Sequence, residues 1–289
     1  GGTYDITAAG HALSGKDSVR IADGTFILTA EKDGIHAENA DDEEKGYIYI
    51  ADGDFTITSD GDGMDASSIV QIEDGTFDIT AGGGAANSQK THESDMPGGG
   101  MSQNIERPDG KSMPQMGEKP DEESMSQMGE KPDEESMPQM GEKPDGENMP
   151  QDTTTDESST STKGIKAGGG MYLNGGTYQI DSADDSIHSN ANITIADGTY
   201  TLATGDDGVH ADDALTVNGG TITVTESYEG LEGLTVTIND GTIDITASDD
   251  GINTAGEKME LNGGYIHILA GGDGLDSNGD LTINGGEIY

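Results

Sequence analysis

The chain carries its apolar residues at fixed positions in a repeat of about 22 residues, a period within the range of known repeat architectures. A landmark glycine opens each repeat, at Gly2, Gly24, Gly53, Gly75, Gly176, Gly198, Gly220, Gly241, Gly264 and Gly286. The steps from one of these glycines to the next are 22, 29, 22, 101, 22, 22, 21, 23 and 22. Two steps exceed the period by more than one residue, one by 7 and the other by 79. A period this constant predicts a stack of similar structural units.

Four columns of apolar residues appear when the repeats are aligned on the landmark glycine. They lie three residues before it, and two, four and eleven residues after it. The last column holds Leu13, Ile35, Met64, Ile187, Val209, Leu231, Ile252 and Leu275. Polar residues alternate with the apolar ones, as in half-buried strands, and Asn-Gly-Gly or Asp-Gly turns separate the strands.

Three short strands in every repeat predict an all-β fold in which like residues stack from coil to coil. We therefore expect a right-handed, single-stranded parallel β-helix of about 22 residues per coil. The right hand is expected from the crossover rule for parallel strands. Stacked coils would place equivalent residues about 4.8 Å apart.

A long insertion interrupts the repeat. We assign residues 1–84 and 163–289 to the coils of one domain and residues 85–162 to a disordered segment. The segment contains all eight prolines and a 12-residue repeat, "SMPQMGEKPDEE", and its composition cannot bury a core. Its paired methionines, such as Met113 and Met116, could bind Cu(I) through thioethers; the alternative is a solvated loop.

The charge excludes several partners. Lys and Arg number 13 against 57 Asp and Glu, for a formal net charge of -44. Nucleic acid is a poor partner because phosphate binding requires a basic surface. The sequence contains no run of 18 apolar residues, so it predicts no transmembrane helix. The absence of cysteine excludes disulfides and thiolate metal sites.

Paired acids recur beside the column that holds Val209, in phrases such as "GDDGVHADD" and "SDDGINT". Stacking would place their carboxylates one strand apart, where like charges repel. A calcium ion takes oxygen ligands at about 2.3–2.6 Å and could bridge adjacent coils. The predicted ligands are Asp184, Asp185, Asp206, Asp207, Glu229, Asp249 and Asp250. The alternative is that Asp-Asp-Gly only builds a turn, with Asp capping its own backbone.

Histidine and lysine also enter these columns. His188 and His210 share one outward column with Lys166 and Glu232, and Lys163 lies in the neighbouring column. Imidazole also suits zinc or copper, and the lysines could instead compensate charge or act as a Brønsted base.

The coils from "DSADDSIHSNANITIADGTY" to "SYEGLEGLTVTINDGT" resemble the secreted bacterial carbohydrate-binding-domain family. The resemblance extends over residues 1–84 and 163–289. It implies a right-handed β-helix shaped like pectate lyases, located outside the cell or on its surface. It also implies calcium-dependent, non-catalytic binding of plant-cell-wall polysaccharide: acidic pectic chains such as polygalacturonate, and cellulose. With such a ligand, we predict that the carbohydrate contacts are Lys163, Lys166, His188, His210 and Glu232.

Two other functions stay open from the residues alone. A calcium-dependent pectate lyase would need a base such as Lys166 or Lys163. A structural adhesin would use the β-helix only to display the insertion. We expect the chain to be a monomer and an excerpt of a longer precursor, because it starts and stops in mid-motif at "GGTYDI" and "GGEIY".

Overall fold

A computed structural model describes residues 1–90 and 161–289, which lie in one compact unit. Apart from one 3-10 turn at Ala85–Asn87, the regular elements in these ranges are strands. In chain order they are β1 (Thr3–Ala8), β2 (Leu13–Gly15), β3 (Ser18–Ile21), β4 (Thr25–Ala30), β5 (Ile35–Ala37), β6 (Tyr47–Ile50), β7 (Asp54–Ser59), β8 (Met64–Ala66), β9 (Val70–Ile72), β10 (Thr76–Ala81), β11 (Ile165–Ala167), β12 (Met171–Leu173), β13 (Thr177–Ser182), β14 (Ile187–Ser189), β15 (Ile193–Ile195), β16 (Thr199–Thr204), β17 (Val209–Val217), β18 (Thr221–Glu226), β19 (Leu231–Ile238), β20 (Thr242–Ala247), β21 (Ile252–Leu261), β22 (Tyr265–Ala270), β23 (Leu275–Ser277), β24 (Asp280–Ile283) and β25 (Glu287–Ile288).

The strands stack into three parallel faces. The first face is the sheet β1-β4-β7-β10-β13-β16-β18-β20-β22-β25. The second face follows the order β2-β5-β8-β11-β14-β17-β19-β21-β23, and the third follows β3-β6-β9-β12-β15-β17-β19-β21-β24. Strands β17, β19 and β21 are long enough to run through both faces and join them into one sheet.

The core is a set of in-register columns inside the coils. The column eleven residues after the landmark glycine is fully buried from Ile35 to Ile252. Six aromatic rings form another column, with neighbouring centroids 4.6–4.9 Å apart: Tyr4, Phe26, Phe55, Phe77, Tyr178 and Tyr200. Stacked rings add attraction beyond the area they bury, so this column ties six coils together.

The landmark glycines turn the chain into the first face. Nine of the ten have positive φ, for example Gly176 at 101° and Gly241 at 122°. At Gly53, Gly75, Gly198 and Gly241 the carboxylate of the preceding Asp accepts the glycine N–H at 2.7–2.8 Å. The turn therefore needs the conformational freedom of glycine, and in these four coils a preceding aspartate stabilises it.

The predicted all-β parallel solenoid is confirmed by the register, in which Thr177 pairs with Thr199 and Thr199 pairs with Thr221, one period apart each time. The predictions of disorder and of Cu(I)-binding methionines fall on residues 91–160, outside the described ranges. Residues 85–90, which open the predicted insertion, contact the coils: Ala85 donates its N–H to Asp181 at 2.7 Å. Among the described residues, no helix has the length and apolar character needed to cross a membrane.

Candidate functional site

Two rows of polar side chains run along the outer surface of the second face. The reference is the apolar column that runs through Ile35 and Val209. The turn row lies two residues before each residue of this column and holds His11, Asp33, Asp62, Lys163, Asp185, Asp207, Glu229, Asp250 and Asp273. The strand row lies one residue after it and holds Ser14, His36, Asp65, Lys166, His188, His210, Glu232, Asn253 and Asp276. Both rows follow the predicted columns, because the parallel strands pair in register.

Five aspartates of the turn row accept a backbone N–H from the next coil. Asp62 accepts from Lys163 at 2.7 Å, Asp185 from Asp207 at 3.1 Å and Asp207 from Glu229 at 3.1 Å. Asp33 and Asp250 do the same at 2.9 and 2.6 Å. One oxygen of each carboxylate thus connects neighbouring coils, so these aspartates do not cap only their own turn.

Two lysines lie among the paired acids of the predicted calcium column. Lys163 Nζ lies 2.6 Å from Asp185 and 2.9 Å from Asp184. Lys90 Nζ lies 2.7 Å from Asp206 and 3.1 Å from Asp184. Sequence reasoning missed Lys90, because it lies in the aperiodic insertion where no column gives its position.

These ammonium groups control the charge of the acids. Burial and the charge of Asp185 raise the pKa of Asp184, but Lys163 and Lys90 outweigh them and the net pKa is lowered. Burial also opposes ionisation of Asp185, yet His188 and Lys163 hold its pKa well below the usual range. Asp206 differs, because burial and the charges of Asp207 and Asp185 raise its pKa to about 6.

The histidines of the strand row are less exposed than an outward column suggests. Only 11% of the His188 side chain is exposed, and 27% of the His210 side chain. His188 Nδ1 lies 2.9 Å from Asp185, and His210 Nδ1 lies 3.2 Å from Asp207 and 3.1 Å from Glu232. The two imidazoles are partly covered on their outer side, where His188 contacts Asn190 and His210 contacts Asp212.

Glutamates extend the acidic surface beyond the histidines. Burial raises the pKa of Glu229 to about 8; two hydrogen bonds from Asn253, at 3.1 and 3.0 Å, act in the opposite direction. Burial and the charge of Asp207 raise the pKa of Glu232 to about 7, although the positive charge of His210 opposes them. A bound cation would compete with protons for both carboxylates.

Four clusters of potential metal ligands form in the described ranges, each with its donor atoms within 4.8 Å of one another. Three include predicted calcium ligands: Asp184 with Asp185 and Asp206, Asp185 with His188 and His210, and Asp207 with His210 and Glu232. The fourth joins His11, Asp33 and His36. Glu229, Asp249 and Asp250 belong to none of these groups in the part of the chain described.

The five predicted carbohydrate contacts form one patch. Lys166, His188, His210 and Glu232 pair successively along the strand row, and Lys163 lies beside them in the turn row. Lys166 Nζ is 3.5 Å from Asp62 and 3.4 Å from Asp65. The patch is therefore an ion-paired surface in which the lysines and histidines contact neighbouring carboxylates.

The cluster of His11, Asp33 and His36 was not predicted. His11 lies in the turn row and His36 in the strand row, yet their rings stack at 4.0 Å and both Nδ1 atoms lie 3.0 Å from Asp33. The signal that could have found part of it is the spacing Asp-x-x-His, which places both side chains on the outer surface of one coil.

A sequence model of the family described as "Carbohydrate-binding domain-containing protein" matches residues 1–208 and 206–289. The matched ranges include every residue of the two rows. No curated protein and no solved structure matches the chain. The family description, together with the charged rows, indicates binding to polysaccharide.

Proposed function

We propose, from the premise that the chain belongs to this family of carbohydrate-binding domain proteins, that it binds acidic plant-cell-wall polysaccharide through calcium and without catalysis. Polygalacturonate and related pectic chains are the proposed ligands, with cellulose as a second target. The proposed location is outside the cell or at its surface.

The observation that carries the proposal is the cluster of Asp184, Asp185 and Asp206, whose donor oxygens lie within 4.8 Å of one another. Carboxylate oxygens are the ligands that calcium prefers. Lys163 and Lys90 occupy the same region with their ammonium groups, which supports a site that attracts cations. The donor chemistry therefore fits calcium.

Calcium also accounts for how so acidic a surface could hold an acidic sugar. The net charge of -44 would repel a polyuronate, and a divalent ion between protein and sugar carboxylates reverses the local sign. Lys166 and Lys163 would add contacts to sugar carboxylates, while His188, His210 and Glu232 would offer hydrogen-bonding edges.

The two lysines are poorly suited to act as a lyase base. Burial lowers the pKa of Lys163, but the charges of Asp185 and Asp184 outweigh it and the net pKa is raised. Lys166 behaves in the same way beside Asp62 and Asp65. A general base must be deprotonated near the working pH, so this electrostatic setting supports a binding role.

The test is co-sedimentation with insoluble pectate and with cellulose, in calcium, in magnesium and in EDTA. We expect calcium-dependent retention on pectate and a weaker effect of magnesium, which demands a tighter octahedral shell. Calcium should also raise the melting temperature, since an ion at a hundredfold excess over Kd adds about 2.7 kcal/mol.

The double variant Asp184→Asn/Asp206→Asn should lose both effects. Asp54→Asn/Asp78→Asn makes the same charge change at exposed positions of the first face and should keep them. Equal retention in EDTA would contradict calcium dependence. Release of unsaturated uronate products, lost in Lys166→Ala, would instead establish a lyase.

A further inference from the structure

The segment Asp-x-x-His occurs three times in the described coils, at 33–36, 185–188 and 207–210. In each, the Nδ1 atom of the histidine lies close to the carboxylate of the aspartate, at 3.0, 2.9 and 3.2 Å. The second and third copies lie on adjacent coils, and His188 pairs with His210 in the sheet register. This tandem brings two imidazoles together, with ring centroids 4.9 Å apart.

The inner nitrogen of His188 is buried against a carboxylate. His188 is 9% exposed, and its Nδ1 atom lies 2.9 Å from Asp185. A metal ion that takes the Nδ1 lone pair would replace the proton shared between these two groups.

The outer nitrogens are already held. His188 Nε2 lies 3.0 Å from Asn190 Oδ1, and His210 Nε2 lies 3.5 Å from an oxygen of Asp212. Histidines that bind metals commonly donate their second N–H to such an acceptor, which fixes the tautomer and the ring orientation. Both rings therefore present Nδ1 to the carboxylates on their inner side.

We propose that His188 and His210, with a carboxylate oxygen of Asp185, bind a divalent transition-metal ion of the zinc class. The donor atoms of these three residues lie within 4.8 Å of one another. Two imidazoles, one carboxylate and a water molecule would complete the tetrahedral shell that Zn²⁺ prefers.

The inference goes beyond the proposed function, because it concerns another class of ion. Calcium takes oxygen ligands, whereas imidazole suits zinc and its neighbours. Lys163 Nζ lies 2.6 Å from the same Asp185 carboxylate, so a bound zinc ion would displace this ammonium group. Zinc binding without any pectate binding would support this inference and contradict the proposed function. Pectate binding without zinc binding would support the proposed function and contradict this inference.

The experiment is equilibrium dialysis of the untagged full chain against Zn²⁺ in the presence of millimolar Ca²⁺, with bound zinc measured by mass spectrometry. We expect stoichiometric zinc in the wild type and at least a tenfold loss of affinity in His188→Gln and in His210→Gln. X-ray absorption of the zinc-loaded protein should show two imidazole ligands.

His267→Gln is the matched control. His267 Nδ1 lies 2.9 Å from Asp244, a similar histidine–carboxylate pair, but both side chains are about half exposed on the first face. This variant should bind zinc as the wild type does. Near-ultraviolet circular dichroism without metal checks that each variant is folded. The proposal is overturned if the wild type retains no zinc, or if His36→Gln abolishes zinc binding and His210→Gln does not.

Discussion

Asp62 accepts the backbone N–H of Lys163 at 2.7 Å, although 101 residues of chain separate them. The Asp62 side chain is 2% exposed, and its second oxygen lies 3.5 Å from Lys166 Nζ. One carboxylate therefore joins the coil before the insertion to the coil after it, through a backbone hydrogen bond and an ion pair. The same division between the two oxygens recurs in Asp33, Asp185 and Asp207.

Replacement of Asp62 by Ala should destabilise the fold by about 1–3 kcal/mol, because the N–H of Lys163 loses its partner in a buried setting. Asp62→Asn keeps an accepting oxygen and should cost less. Chemical denaturation measures both, with exposed Asp60→Ala as the control. Equal stability of the Ala and Asn variants would show that the hydrogen bond contributes nothing.

His36 should make stability depend on pH. Hydrogen bonds to Asp33 and Asp65 raise its pKa from 6.5 to about 10, so the folded state binds a proton that the unfolded state releases more easily. The contribution is complete below pH 6.5 and is lost as pH rises through about 10.

The variant His36→Gln isolates this contribution. Between pH 5 and 6.5 it should be less stable than the wild type by about 1.5–3 kcal/mol, the range for hydrogen bonds to charged groups. The difference should shrink towards pH 10 in urea titrations. A difference that is constant with pH would assign the effect to packing instead.

Lys90→Gln should strengthen calcium binding several-fold. Lys90 Nζ lies 2.7 Å from Asp206 and 3.1 Å from Asp184, so its positive charge competes with an ion for the same oxygens. Titration calorimetry measures the change. Lys45→Gln removes an exposed lysine paired with Asp17 and Asp42 and should have no effect. Unchanged or weaker affinity in Lys90→Gln would place the calcium site elsewhere.

Phe77→Ala should cost about 3–5 kcal/mol, the range for removing a buried aromatic ring. Phe77 is 1% exposed and stacks between Phe55 and Tyr178 at 4.9 and 4.8 Å. Phe77→Tyr should cost less, because the next two coils carry tyrosine in the same column. Similar losses in the two variants would argue against ring stacking as the stabilising feature.

Deletion of residues 91–160, with a short linker between Lys90 and Ser161, should leave the coils folded. The insertion lies between β10 and β11 of one coil, and the entropy of closing a loop grows only slowly with its length. The far-ultraviolet circular dichroism of a β protein should persist. Its loss would show that the removed residues are required for folding.

The sequence predicted the fold well because one period governs every coil. In-register stacking converts a column in the alignment directly into a column in space, as for Ile187 and Val209. The two polar rows were predicted for the same reason. Their contacts were not predicted, because they depend on side-chain direction: His11 and His36 belong to different rows and still stack. Lys90 has no place in the period, so only the structure could bring it to Asp206.

The pairing of β10 with β13 brings Ile79 beside Ile180, which lies on the far side of the insertion. Neighbouring coils elsewhere in the stack pair segments that are much closer along the chain, as in Thr221 with Thr242 and Thr25 with Asp54. Stability in a solenoid is nearly a sum over neighbouring repeats, and folding can begin anywhere and spread. Folding that spreads from either half therefore reaches the pairing of β10 with β13, where the next coil in the stack lies beyond the insertion in the chain. That junction is where assembly of the two halves becomes a separate kinetic event.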